Sequence, residues 1–400
     1  MPQFSKRLEL VTESASLKLN ALAQSLQASG KSVINLTAGE PDFFIDDSVK
    51  EAAISAIKQN KSRYTPVLGV LPLREKIIEY THKFQKEIKE KSPWQPAEVL
   101  VSCGAKQSIF NFLLSTVNPG DEVVIISPYW LSYPEMVKVA EGTPRIIDTD
   151  LNSGFKVTPA QLKESLNEKT KAVILNSPSN PTGAMYSKQE LRALGEVILN
   201  SPFSKNIWVV SDEIYDQIVY GGAEYCSFLG AIPELKNQTL TVNGLSKSAA
   251  MTGWRMGWSV GVKALISKMS VLQGQSTSGI NSVTQWAGIA ALNLKADYFA
   301  KNVEVFKKKR DRLLDILQKS SKIKSRAPDG AFYAFVDVGA VLKPGENAGY
   351  FAEKLLEAEG VVVVPGTAFG ADEFIRLSFA TDMETLEIGC EKIVSFVNTI

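Results

Sequence analysis

The sequence of 400 residues has little histidine and little cysteine: its only histidine is His82, and its cysteines are Cys103, Cys226 and Cys390. A single histidine argues against a histidine-rich metal site and, with no evident partner in residues 80–84, against a serine–histidine–aspartate triad. The cysteines are widely spaced, without a metal-ligand or disulfide pattern, which indicates a reducing compartment. Catalytic proton transfer is therefore expected to use another residue type, and no metal is expected.

Long apolar runs and an excess of one charge are also lacking. No run of 18 apolar residues predicts a membrane span, and the first residues, Met-Pro-Gln-Phe-Ser-Lys-Arg, lack an apolar signal core. The formal net charge is +1 without a basic block, which argues against nucleic acid. The absence of Gly-x-Gly-x-x-Gly leaves a nicotinamide dinucleotide without its fingerprint. We expect a cytoplasmic protein without nucleic-acid or membrane partners.

The sequence does contain ample material for a core, since 44% of its residues are apolar. Short apolar runs alternate with helical patterns such as 107–117 and 188–199, which predicts an α/β fold with a mostly parallel sheet between helices. The runs are 99–102, 123–126, 172–176, 207–211, 239–243 and 258–262.

The two ends of the chain have a different pattern. We expect residues 46–295 to form a large domain, and residues 1–45 and 296–400 to form a smaller α+β domain together. Helices are predicted at 15–28, 297–318 and 346–359, and strands at 33–36, 331–336, 360–364 and 374–379.

The most informative segment is Asn243-Gly-Leu-Ser-Lys-Ser-Ala-Ala-Met-Thr-Gly-Trp-Arg255. Lys247 follows an apolar run, and Arg255 comes eight residues later. An amine at a strand end beside a fixed cation suits an imine to an aldehyde cofactor that carries a phosphate. Asp212 ends another run, where it could hold a proton on a pyridine ring. A solvated lysine and a helix-capping aspartate are the alternatives.

Other chemical groups fall at the same predicted sheet edge, where parallel sheets bind their ligands. Gly104-Ala-Lys106 opens a helix after a strand, and such a terminus either binds a phosphate or is an ordinary turn. Trp130 and Asn180 follow two further runs, and a core filler and a plain turn are their alternatives. Convergence of several segments on one edge predicts a site there.

Arg376 lies in Phe374-Ile-Arg-Leu-Ser-Phe379, where the apolar residues alternate onto one face and the arginine onto the other. An arginine in an apolar strand needs an anion, and its planar fork matches a carboxylate. An internal salt bridge is the alternative.

Together, these residues resemble the class I aminotransferases, fold-type I enzymes that use pyridoxal 5′-phosphate (PLP), and are most similar to the bacterial aspartate aminotransferases. The resemblance covers nearly the whole chain. It rests on Leu36-Thr-Ala-Gly-Glu-Pro-Asp-Phe43, Arg63-Tyr-Thr-Pro66, Ser127-Pro-Tyr-Trp130, Asn176-Ser-Pro-Ser-Asn-Pro-Thr-Gly183, Ser211-Asp-Glu-Ile-Tyr215, the Lys247 segment and Arg376-Leu-Ser-Phe-Ala380.

The resemblance implies how the cofactor ring is held. Lys247 would bond to the cofactor aldehyde and later move a proton between substrate and cofactor. Asp212 would pair with the protonated pyridine nitrogen, so that the ring accepts electrons. Asn180 and Tyr215 would hydrogen-bond the phenolic oxygen, and Trp130 would stack on the ring.

For the phosphate, the resemblance implies Arg255, the turn at Gly104, Ala105 and Lys106, and Tyr64 from the partner subunit of a homodimer. Many relatives have a serine three residues before the lysine, whereas this sequence has Gly244. Ser246 or a backbone amide is expected to replace it.

For the substrate, the resemblance implies that Arg376 binds the α-carboxylate, helped by Asn180, Trp130 and the Gly39 backbone. Lys106 would contact a second carboxylate. Ser14 and Ser16 match a segment that closes over the substrate.

The implied reaction converts L-aspartate and 2-oxoglutarate to oxaloacetate and L-glutamate, a step of amino-acid metabolism. Alternatives are an aminotransferase for aromatic amino acids, alanine or prephenate, and a PLP-dependent carbon–sulfur lyase. A non-enzymatic ligand sensor is a further alternative; such proteins on this fold usually append a DNA-binding helical domain, for which the N-terminal segment is expected to be too short.

Overall fold

The computed structural model of the protein describes residues 5–12, 21, 25, 26, 28–30 and 32–400. In these residues the strands are β1 (Ile34–Asn35), β2 (Val99–Ser102), β3 (Glu122–Ser127), β4 (Thr143–Asp148), β5 (Thr170–Asn176), β6 (Trp208–Asp212), β7 (Thr239–Gly244), β8 (Gly257–Val260), β9 (Lys324–Ser325), β10 (Tyr333–Asp337), β11 (Val361–Val362), β12 (Val364–Pro365) and β13 (Phe374–Ser378).

The α-helices of the described residues complete the framework. They are α1 (Asp47–Lys58), α2 (Leu71–His82), α3 (Lys86–Lys91), α4 (Ala105–Thr116), α5 (Ser132–Val139), α6 (Pro159–Ser165), α7 (Lys188–Leu199), α8 (Phe228–Ala231), α9 (Lys263–Gly274), α10 (Ser282–Leu292), α11 (Ala296–Leu317), α12 (Ala348–Glu359) and α13 (Met383–Thr399).

A seven-stranded sheet in the order β2-β8-β7-β6-β5-β3-β4 forms the centre of the large part. Neighbours from β4 to β7 are parallel, and β8 alone runs against the others. Alternate residues of a strand pack on opposite faces of the sheet: Val124 belongs to one apolar cluster and Val123 to another. Burial on both faces explains the continuous apolar runs of these strands. The predicted α/β class with a mostly parallel sheet is confirmed.

A four-stranded antiparallel sheet, β12-β13-β10-β9, lies in the part built from the later residues. Its apolar cluster contains Phe306 and Phe351 and also takes in Ile214 and Tyr215, which follow β6 of the large sheet. The two sheets are therefore joined by a common core beside the end of β6. The domain boundaries at 46 and 295 stay a prediction.

Most predicted elements occur within a few residues of the expected positions, but the single strand at 360–364 was wrong. Gly360 adopts the left-handed conformation that ends α12 (φ 68°). The next residues form β11, which pairs with β1, whereas β12 pairs with β13 in the other sheet. The apolar run at 361–364 therefore contributes one strand to each of two sheets. The predicted helix at 15–28 lies largely outside the described residues.

None of the helices in the described part of the chain combines the length and the apolarity required to cross a bilayer.

Candidate active site

A cavity of about 670 Å³ opens beyond the carboxyl ends of the parallel strands. Segments that follow β2, β5, β6 and β7 form one side, and residues after β1 and from β10 and β13 form the other. Of the predicted residues, the structure brings these together along its wall: Gly39, Ala105, Lys106, Trp130, Asn180, Asp212, Tyr215, Ser246, Lys247, Arg255 and Arg376.

Lys247 lies three residues beyond β7, and its Nζ donates a hydrogen bond to the carbonyl oxygen of Gly39. Burial lowers the pKa of this amine to about 8, and the cations of Arg376 and Arg255 act in the same direction. A neutral amine is the nucleophilic form, so this setting suits attack on a carbonyl carbon.

Asp212 ends β6 and is 4% exposed. Its Oδ2 accepts a hydrogen bond from Tyr133 Oη at 2.7 Å, and its Oδ1 accepts one from the backbone N–H of Ile214 at 3.3 Å. Burial raises the pKa of the carboxyl to about 6, while these donors and the charge of Lys247 oppose the rise. A buried carboxylate of this kind is suited to a cationic partner in the cavity.

An anion-binding corner lies where α4 begins. Gly104 precedes the helix with a φ of 78°, and the backbone at Gly104 and Ala105 lies against Gly257, the first residue of β8, and beside the side chain of Arg255. The N–H groups at such a helix start can bind an anion. A Cβ on Gly104 would lie 2.6 Å from Arg255 Nη2. The exposed Arg255 donates from Nη1 to the Thr252 carbonyl oxygen at 2.9 Å. Helix terminus and guanidinium together suit a phosphate.

Arg376 extends from β13 to the wall of the cavity and is 3% exposed. Its Nη1 donates to Asn180 Oδ1 at 2.9 Å and its Nη2 to the Thr37 carbonyl oxygen at 3.0 Å. Its buried Nε has no hydrogen-bond partner among the described residues, and no carboxylate of that part of the chain pairs with it. This geometry disfavours the internal salt bridge and leaves donors for a carboxylate ligand.

Tyr215 and Asn180 also line the cavity. Tyr215 Oη is 3.1 Å from Tyr333 Oη, and the Arg376 guanidinium lies 4.3 Å from the centre of the Tyr333 ring. Because Asn180 Oδ1 accepts from Arg376, its Nδ2 is the group that remains to donate to a ligand.

Lys106 is close to Trp130, with its Nζ 4.9 Å from the centre of the indole ring. Partial burial lowers the pKa of Lys106, and the Arg255 cation adds to the effect. The lysine therefore brings a further positive charge to the cavity wall.

Other predicted residues are placed differently. The side chain of Tyr64 is fully exposed and lies outside this chain's cavity, and Ser14 and Ser16 lie outside the described residues. At Gly244, a Cβ would approach the Met256 carbonyl oxygen to 2.9 Å, so a serine there would require β7 and β8 to shift. Ser246 does line the cavity.

Sequence reasoning missed several residues of the wall. Tyr133 is three residues beyond Trp130, a spacing of one helical turn that could have drawn attention to it. Tyr333, Glu40 and Thr252 carried no such signal, since they come together only through the fold. Glu40 Oε2 accepts from Thr252 Oγ1 at 2.7 Å, which ties the segment after β1 to the loop after Lys247.

The donors of this cavity fit PLP by their chemistry. A half-buried amine with a lowered pKa, a buried carboxylate and a helix terminus beside an arginine match its aldehyde, its pyridine nitrogen and its phosphate. In the described part of the chain, no His, Cys, Asp and Glu side chains gather in a metal-binding group.

Comparisons with known proteins agree with this chemistry. The family model for aminotransferases of class I and II matches residues 31–393. An aspartate/prephenate aminotransferase of Nitrosomonas europaea is 40% identical over 404 residues, which cover 99% of this chain and 100% of that protein.

Solved structures are similar over the full length. The aspartate aminotransferase of Rhizobium meliloti has a TM-score of 0.94 at 38% identity, over 100% of this chain and 99% of that one. The enzyme of Thermus thermophilus, solved with maleate, has a TM-score of 0.90 at 39% identity, over 99% and 100%.

Proposed function

The chain belongs to the class I and II aminotransferases and is a transaminase, and we propose that it binds PLP in this cavity and moves an amino group from L-aspartate to 2-oxoglutarate. The observation that carries the proposal is the joint placement of Lys247, Asp212 and Arg376 around one cavity. One cavity thereby contains an amine that can react with the aldehyde, a carboxylate that can pair with the pyridine nitrogen and a guanidinium that can bind the substrate carboxylate.

The residues that would hold PLP follow from the groups that line the cavity and from the backbone at Gly104. Arg255, Ser246 and the N–H groups at Gly104 and Ala105 would bind the phosphate, and Asp212 would hold the proton of the pyridine nitrogen. When bound, PLP withdraws electrons from the α-carbon of an amino acid, which makes its proton acidic.

Lys247 is the group that moves this proton. Because its pKa is about 8, a substantial fraction of the amine is neutral near pH 7.5 and can accept a proton. Its charged form can return the proton afterwards. The contact with the Gly39 carbonyl oxygen keeps Nζ at the cavity wall in the meantime.

Arg376 orients the substrate through its α-carboxylate. The Nε–H of Arg376 has no acceptor among the described residues, and a substrate carboxylate would supply one. Asn180 and Thr37 hold the guanidinium plane in place through Nη1 and Nη2. A fixed plane limits the substrate to few orientations, which favours proton transfer at one face.

Lys106 is the proposed contact for the second carboxylate, because it adds a cation to the cavity wall near Trp130. The names of the relatives support a dicarboxylate substrate, and maleate, the ligand of the Thermus structure, is a dicarboxylate. The same names support prephenate as a further amino acceptor.

We also propose a cytoplasmic homodimer in which Tyr64 reaches the partner's phosphate site. Full exposure of Tyr64 and exposure of Arg255 support this arrangement. Sedimentation of the protein with and without PLP tests the dimer, and a monomer at micromolar concentration with full activity would refute it.

Borohydride reduction followed by peptide mapping tests the function. PLP should be trapped on Lys247, and aspartate with 2-oxoglutarate should yield oxaloacetate and glutamate. A reduced PLP adduct on another lysine would refute the proposal, and so would a protein that gains no visible absorbance when PLP is added. A panel with prephenate, aromatic amino acids, alanine and a cysteine conjugate separates the alternatives, since a lyase would release pyruvate and ammonia.

A further inference from the structure

Tyr133 is a residue of the cavity wall that connects two others. Its side chain is 2% exposed, and its hydroxyl donates to Asp212 Oδ2 at 2.7 Å. Its ring meets Trp130 edge-on, with 5.3 Å between the ring centres and an angle of 89°. Trp130, just before α5, and Tyr133, in its first turn, thus bring an aromatic ring and a hydroxyl donor to the wall of the same cavity.

We propose that Tyr133 is a positioning residue that keeps the Asp212 carboxylate ionised and turned toward the cavity. Its effect on a cofactor ring rests on the proposed function, whereas the contact between the two side chains does not. Tyr133 itself would touch neither substrate nor the reacting atoms.

Packing alone does not account for a tyrosine at this position. The ring belongs to an apolar cluster with Ile125, Val210 and Leu240, and a phenylalanine would fill that space equally well. A buried hydroxyl is unfavourable unless it is hydrogen-bonded, and the single protein acceptor found for this one is Asp212 among the described residues. With Tyr133 on Oδ2 and the Ile214 N–H on Oδ1, the carboxylate plane is held at both oxygens.

The electrostatics act in the same direction. Burial raises the pKa of Asp212 to about 6, and the hydrogen bond from Tyr133 is the largest opposing effect, ahead of the Ile214 N–H and the charge of Lys247. Tyr215 also faces this carboxylate, and burial raises its pKa well above its usual value, so it stays neutral. Burial and the charge of Asp212 likewise raise the pKa of Tyr133, which remains a donor at every working pH.

Loss of the Tyr133 hydroxyl should therefore increase the proton affinity of Asp212. An acid that already carries its own proton has no negative charge with which to stabilise a protonated pyridine nitrogen, and its O–H would instead donate to the unprotonated nitrogen. The ring would then lose its positive charge more easily, and the cofactor would be held less tightly.

The test uses Tyr133→Phe in the full chain, with carbon-13 in the aspartate carboxyl groups. The Asp212 resonance, identified by its absence from Asp212→Asn, is titrated without cofactor. We expect the acid dissociation constant to fall roughly tenfold or more, as for loss of a hydrogen bond to a charged group. Tyr186→Phe is the matched control, since it removes a buried hydroxyl that accepts from the Val157 N–H at 2.9 Å, outside the cavity.

Incorporation of 3-fluorotyrosine at position 133 gives a change of opposite sign. Its hydroxyl is a stronger donor, so the pKa of Asp212 should fall below that of the parent, even if Tyr133→Phe does not fold. In the loaded protein, Tyr133→Phe should weaken PLP binding and move the acid limb of the pH–rate profile to higher pH.

An Asp212 pKa that is unchanged by both substitutions, or that moves equally in Tyr186→Phe, would overturn the inference. A parent protein that takes up no PLP would instead remove the proposed function. The titration of the cofactor-free protein would still decide the role of Tyr133 in that case.

Discussion

Replacement of Arg376 is the most direct test of how substrate is held. The guanidinium is almost fully buried, is fixed by Asn180 and Thr37, and presents a buried Nε without a partner in the described residues. Arg376→Ala removes both the charge and the fork. Arg376→Lys keeps a charge but offers a point donor in place of the planar fork.

The expected loss of kcat/KM in Arg376→Ala follows from the hydrogen bonds that a substrate carboxylate would make with the guanidinium. Two bonds to a charged group contribute about 1.5–3 kcal/mol each, or about 3–6 kcal/mol together. Arg376→Ala should then lower kcat/KM for L-aspartate roughly 10²- to 10⁴-fold. The lysine variant should fall between the alanine variant and the parent, because it retains the attraction without the two-point geometry.

Two assays separate binding of substrate from damage to the fold. The first is kcat/KM, with PLP loading measured by absorbance. Loading should stay normal because Arg376 bonds to Asn180 and Thr37 and not to the residues of the phosphate corner. The second is thermal unfolding with and without maleate, which should raise the Tm of the parent but not that of Arg376→Ala.

Arg310→Ala provides the control. This arginine, whose side chain is 13% exposed, donates to the Pro328 carbonyl oxygen at 3.2 Å and pairs with Asp311, outside the cavity. It should alter stability and leave kcat/KM within about threefold, as expected for a residue that holds no substrate. A loss of less than about tenfold in fully loaded Arg376→Ala, or a maleate-induced rise in its Tm, would refute the carboxylate role.

The rate at which cofactor-free protein takes up PLP should rise about tenfold per pH unit and level off near pH 8. Attack requires neutral Lys247, whose pKa is lowered to about 8. An uptake rate that climbs steadily to pH 10 would contradict this. Lys106→Ala should lower kcat/KM for aspartate at least about tenfold and for alanine less than about threefold, whereas equal losses would defeat its assignment to the second carboxylate. Gly104→Ala should weaken PLP binding, since its Cβ would lie 2.6 Å from Arg255 Nη2. Gly120→Ala, also at positive φ but with open space around its Cβ, should lose only stability, and equal PLP affinities in the two variants would argue against the phosphate corner.

The large sheet could be predicted because its strands are buried on both faces and are apolar throughout. The prediction at 99–102 coincides with β2, and the helix at 188–199 coincides with α7. The single strand at 360–364 was wrong because an apolar run carries no sign of which sheet each residue joins. Pairing of β11 with β1 and of β12 with β13 depends on partners far away in the sequence.

The candidate site was predictable to a similar extent. Lys247, Asp212 and Asn180 were selected because each follows a strand, and parallel strands end at one edge. Tyr333 had no such marker, because it begins a strand of the antiparallel sheet and enters the cavity from the other side. The homodimer, the domain boundaries and the role of Tyr64 stay predictions from the sequence.

The sequence by itself determined the strand–helix alternation, the chemical groups at the strand ends and the resemblance to a family, because all three are local patterns of residue type. Only the tertiary structure decided which of those groups are hydrogen-bonded to one another. The contacts of Tyr133 with Asp212 and of Arg376 with Asn180 join residues separated by 79 and 196 positions. Hydrogen bonds and desolvation act over a few ångströms, so the pKa values of Lys247 and Asp212 follow from neighbours in space and not from neighbours in sequence.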